Sequence, residues 1–124
     1  MGNHDPAKII KFLGTLDFLL KRVEKAYQGY SANGRSFLYA TVLRDGNEDV
    51  RSLLLENAYL LPQQYQETVL LLLHHIDVWA ALWDENKKIQ QPELDSEFVF
   101  PNAVTFPREE VADLMKYYKK ILNT

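Results

Sequence analysis

In the middle of the run LLLLHHIDVWAALWDE, Leu70 to Glu85, stand close together three side chains of types that do chemistry near neutral pH: His74, His75 and Asp77. An imidazole titrates close to neutrality and ligates metals through a ring nitrogen, while a carboxylate serves as a hard ligand or general base. Spacing decides what they can do together. Residues three or four apart share a helix face, whereas adjacent residues diverge by a quarter-turn or more. His74 and His75 are therefore poorly placed to clasp one ion, but His74 and Asp77 can touch. That pair is the candidate half of a metal site, or else an ion pair on a polar face, the commoner fate of such a spacing.

A metal site needs three or four protein ligands. Carboxylate-bridged bundles repeat a Glu-x-x-His unit on two helices; here the unit is His-x-x-Asp, it occurs once, and the remaining histidine is His4. The chain has no cysteine, which removes thiolate ligands, thiol nucleophiles and disulfides together. The His-Asp doublet of HD-type phosphohydrolases, the arginine-then-histidine spacing of HEPN-type ribonucleases, phosphate-binding glycine loops and the G-x-S-x-G elbow are all missing. No metal or other cofactor is called for, no catalytic residue is assigned, and the reading leans against an enzyme. His75 keeps company with Leu71, Val78 and Leu82 at helical spacing. It is expected to be a buried imidazole bonded to a carbonyl or hydroxyl, or the orienting group for a small apolar ligand between helices.

The elements that must position these residues are helical. Asp5-Pro6 is a helix start, after which Ile9, Leu13, Leu16, Leu20, Val23, Tyr27 and Tyr30 recur at alternating spacings of four and three. Ser31 to Arg35 ends that helix. Ser36 to Arg44 has the aromatic and β-branched content of a strand but helical neighbours, so helix is preferred. Asp45-Gly46-Asn47 is expected to break the chain, with Asn47 capping a helix that Asn57 stops in a left-handed conformation. Pro62 opens a long helix to about Ile89, whose stripe is Tyr65, Val69, Leu72, Ile76, Trp79 and Trp83. This stripe and that of the first helix are expected to pack on each other, antiparallel or nearly so. Residues 93–106 are irregular, and a last helix begins at Pro107 with the stripe Val111, Leu114, Tyr118 and Ile121.

At 124 residues with 47% hydrophobic content, the chain can bury a core without staples. Residues 1–124 are expected to form a single all-α domain, a bundle of four to five helices, with an α+β variant carrying a small hairpin around 97–106 as the alternative. Residues 1–44 carry seven basic and three acidic side chains, and residues 45–100 carry three basic and eleven acidic. Neighbouring helices can neutralise one another within the chain, or the acidic portion can face a basic partner. The net charge of −3 and the lack of a basic run argue against nucleic acid. No aliphatic run is long enough to span a bilayer, and no secretory pattern opens the chain; Gly2 lacks the serine or threonine that myristoylation wants at position 6. A cytoplasmic protein is expected.

Phe18 interrupts the basic outer face of the first helix formed by Lys8, Lys11, Arg22 and Lys25, and is the candidate interface residue. With seven Tyr, six Phe and two Trp, aromatics exceed what one such core must consume. The expected function is a non-catalytic interaction or regulatory module, self-associating as a homodimer or binding another protein. The alternative is a small metal-dependent hydrolase or ligand-binding bundle centred on His74 and Asp77, or on His75.

Overall fold

The computed structural model describes residues 5–124, so Gly2 and His4 lie outside the described residues. Four helices follow one another: α1 (Pro6–Ala32), α2 (Phe37–Asn57), α3 (Gln63–Gln90) and α4 (Arg108–Leu122), with a 3-10 turn at Ala58–Leu60. The chain is all-α, and no strand forms among the described residues. None of these helices is long and apolar enough to cross a membrane.

Local chemistry sets the helix ends. The Asp5 carboxylate accepts the Ala7 amide at 3.0 Å with Pro6 just inside, the arrangement that satisfies one orphan N–H where another is absent. Gln91 ends α3 in the left-handed region. Pro62 and Pro107 occupy the N-cap positions of α3 and α4, one residue earlier than helix-opening prolines would stand. Asn57 does not adopt the left-handed conformation; its amide nitrogen donates to the Leu53 carbonyl, and the chain continues into the 3-10 turn.

The expected break at Asp45-Gly46-Asn47 is absent, and α2 runs through it unbroken. Gly46 is buried in mid-helix, and a Cβ there would stand 3.1 Å from Cγ2 of Val23 on α1. Glycine weakens a helix interior, but here it lets two backbones approach, and that packing outweighs propensity. Gly46→Leu should therefore destabilise the protein by about 1–3 kcal/mol, although leucine is the better helix former. Urea unfolding measures this, and a rise in stability would remove the close-approach explanation.

Ion pairs and ring contacts give the helix directions. Arg22 pairs with Asp49, and Gly29 lies against Tyr39, so α1 and α2 are antiparallel. Arg44 pairs with Asp84 and Arg51 with Asp77, two turns apart on each helix and in opposite senses, so α2 and α3 are antiparallel too. Tyr65 stacks on Tyr117 at 4.4 Å between α3 and α4, and Gly14 of α1 meets the Tyr118 ring of α4. The helices thus pack in cyclic order, each against the next, with α4 returning to α1. The stripes of α1 and α3 face each other across the core but run parallel, not antiparallel as expected, because each is antiparallel to the intervening α2, and α1 packs most extensively on α2.

The core has two parts. The larger joins Ile9, Leu13 and Leu16 of α1, Val50 and Leu54 of α2, Val69, Leu72 and Ile76 of α3, and Val111 and Leu114 of α4. Such side chains contribute about 1.5–3 kcal/mol each on burial. The smaller part is aromatic: Phe37, Trp83 and Phe98 with Ala40, flanked by Tyr30, Trp79 and Phe100. Ring pairs at 5.1–5.5 Å, one offset-stacked and two edge-on, fill it.

Residues 91–107 supply Phe98 to that cluster. No hairpin forms at 97–106; among the described residues the only pairing of strand type is an isolated bridge between Ser36 and Glu97. The segment instead caps α2. The Phe37 amide donates to the Ser96 carbonyl at 2.8 Å and the Leu38 amide to the Leu94 carbonyl at 2.9 Å, while Ser36 Oγ accepts from Tyr39. Amides left unpaired by the helix are thus satisfied by the loop. The Tyr30 hydroxyl donates to the Phe98 carbonyl, and burial raises the Tyr30 pKa above the ordinary tyrosine value, with Arg35 opposing. That hydroxyl therefore stays a donor well into alkaline pH.

Candidate functional site

The outward face of α3 carries Leu70, His74, Asp77, Ala81 and Asp84, all exposed, as helical spacing requires. Opposite it on α2 stands the line Arg44, Arg51 and Leu55. The seam between these lines begins with Arg44, which grips Asp84 through two nitrogens at 2.8–3.0 Å and lies 5.1 Å from the Trp83 ring centroid. Two turns further along, Arg51 Nε donates to Asp77 at 2.7 Å. That hydrogen bond and the carboxylate's charge push the Arg51 pKa still higher.

Arginine therefore takes the carboxylate that sequence spacing offered to His74. Asp77 pairs with Arg51, and His74 is exposed with no hydrogen bond or ion pair among the described residues. Arg51 was legible only as one of three bases in an acidic region; its helical partner depends on the α2–α3 register. Nor does any group of three or more His, Cys, Asp or Glu side chains gather in metal-binding geometry among the described residues.

His75 is half-buried. Its Nδ1 lies 2.9 Å from the Val104 carbonyl, and the Phe106 ring meets it edge-on at 5.6 Å. A carbonyl only accepts, so Nδ1 carries the hydrogen. This is the carbonyl-bonded imidazole expected from the apolar company of His75, and it ties the loop before α4 to α3.

Beyond Arg51 and Asp77 the seam turns apolar. One turn past Arg51 stands Leu55, 55% exposed, and two turns before Asp77 stands Leu70, 59% exposed. The register of the two ion pairs sets Leu55 level with the turn of α3 that carries Leu70 and His74. The result is an apolar strip beside a neutralised ladder, with one imidazole at its edge. Its sequence signal was two leucines off the core stripes, which without the register could not be placed on one seam.

Phe18 is 69% exposed and stands apart from this strip, on α1, with Thr15, Lys21 and Arg22 as its helical neighbours. The uneven charge seen along the chain is partly spent between helices: Arg22 of α1 and Arg44 of α2 each pair with an acid of the 45–100 region.

What these features define is an all-α bundle of four antiparallel helices with an exposed apolar strip on one helix pair. Comparison with known proteins finds no matching family model, curated protein or solved structure.

Proposed function

We propose that this chain is a non-catalytic interaction module that self-associates through the outer face of α2 and α3. The observation that supports this reading most is the strip of Leu55 and Leu70, two large aliphatic side chains more than half exposed and about one turn apart along the α2–α3 seam. Exposed apolar patches rimmed by polar groups are the usual mark of a protein interface. The flanking pairs Arg44–Asp84 and Arg51–Asp77 are each neutral, so two copies meet along this ladder with little local repulsion. A two-fold arrangement, the commonest among oligomers, sets the strip of one copy on that of the other. His74 supplies a polar rim group in this reading, with no ligand to hold and no proton to transfer.

Light scattering at micromolar concentration tests it. The chain is expected to run as a dimer, and Leu70→Glu to run as a monomer with unchanged helix content, because a carboxylate on each copy would be desolvated against the other. A wild-type monomer up to about 100 μM, some 5.5 kcal/mol of association free energy, would end the proposal.

A further inference from the structure

A second surface shares no residue with that strip. Between the first half of α1 and the end of α2 with its 3-10 turn lies a half-open groove of about 230 Å³. Its apolar lining is Phe12, Leu53 and Leu60, and its charged wall is Lys8 and Lys11. No carboxylate lines it, and neither lysine has an ion pair among the described residues. In a chain of net charge −3 this is a local positive island. Thr15 and Asn57, also on its walls, already donate to the carbonyls of Lys11 and Leu53. Two exposed aromatics accompany it: Tyr59, 71% exposed, lines the groove, and Phe18 stands two turns beyond Lys11 on the same side of α1.

Size and charge select the occupant. Pockets for small molecules run to about 300–1,000 Å³, so this notch takes a side chain rather than a whole ligand. Lys8 and Lys11 are one turn apart, the spacing at which carboxylates three or four apart on another helix meet them. We propose that the groove docks an acidic amphipathic helix of a partner protein, with one apolar side chain on Phe12, Leu53 and Leu60, carboxylates against Lys8 and Lys11, and Phe18 and Tyr59 adding aromatic contacts. The inference rests on the interaction-module reading but not on self-association, because the two surfaces share no residue.

The probe is a fluorescein-labelled synthetic helix of about 14 residues, four turns, with a leucine stripe flanked by glutamates. Its control keeps the leucines and carries lysines instead. Fluorescence anisotropy with the full chain should show the glutamate peptide binding at least about tenfold tighter than the lysine peptide, weakening with salt. The double variant Lys8→Gln, Lys11→Gln should bind it about tenfold more weakly with unchanged circular dichroism, both lysines being exposed. Leu70→Glu should bind it as well as wild type whatever its oligomeric state, which separates failure of this site from failure of the dimer. Equal binding of both peptides, indifference to the lysine variant, or binding only to phosphatidylserine vesicles would each overturn the proposal.

Discussion

Replacing Trp83 by alanine should lower the thermal midpoint by about 10–20 °C, one of the two largest effects expected at the aromatic end of the bundle. Trp83 is 5% exposed and central to that cluster: it stacks on Phe37 at 5.5 Å and meets Phe98 edge-on at 5.4 Å. Its indole N–H donates to the Ala40 carbonyl at 3.1 Å, and Arg44 and Lys87 lie over the ring. Truncation removes the buried area, the ring contacts and the stacking surface of Arg44 together, and large-to-small changes of this kind cost about 3–5 kcal/mol. Trp79, which the stripe placed equally in the core, is only half-buried and touches Phe100 at 6.1 Å. Trp79→Ala should shift the midpoint by less than half as much. Scanning calorimetry of the two variants checks the order, and a larger loss for Trp79→Ala would contradict the described core.

Phe98→Ala should cost a similar amount, about 3–5 kcal/mol, with a different signature. Phe98 is fully buried, and its backbone is also engaged: its amide donates to the Arg35 carbonyl at 2.9 Å, and its carbonyl accepts from the Tyr30 hydroxyl. It is thus the anchor that holds residues 91–107 on the start of α2. Without the ring, the loop should open more often than the helices unfold. The Phe37 and Leu38 amides, which donate to Ser96 and Leu94, should then exchange with solvent at least about tenfold faster. Amides in the middle of α1 should change no more than global destabilisation requires. Hydrogen exchange resolved by residue separates these, and uniform acceleration along the chain would show that the loop is not a separate unit.

The helices of this fold are legible in the sequence because their signals are local and repeated. Asp5-Pro6, the seven-residue stripe of α1 and the long stripe of α3 each follow from 3.6-residue periodicity and capping chemistry. Gly46 misled for a physical reason: Asp-Gly-Asn has turn composition, and only the approach of Val23 from another helix makes it interior. Phe98 was legible as an apolar residue in an irregular stretch, but not as the plug of an aromatic cluster, because that depends on where the loop crosses α2 and α3. The candidate site shows the same division. That His74 and His75 point apart could be read from helix geometry. That Arg51, and not His74, holds Asp77 depends on the register between α2 and α3, which no short window of sequence contains.

The proposed meeting of the Leu55–Leu70 strip with its own image in a second copy is directly testable because the chain has no cysteine. Leu70→Cys places a single thiol on the strip, and Gln28→Cys places one on an exposed part of α1 away from it. Disulfides form only when Cα atoms come within about 7 Å, so mild oxidation at micromolar concentration reports which surface faces its twin. Leu70→Cys should convert rapidly to a covalent dimer on a non-reducing gel, with Gln28→Cys remaining largely monomeric. Equal rates for the two variants, or a Leu70→Cys chain that stays monomeric, would contradict it.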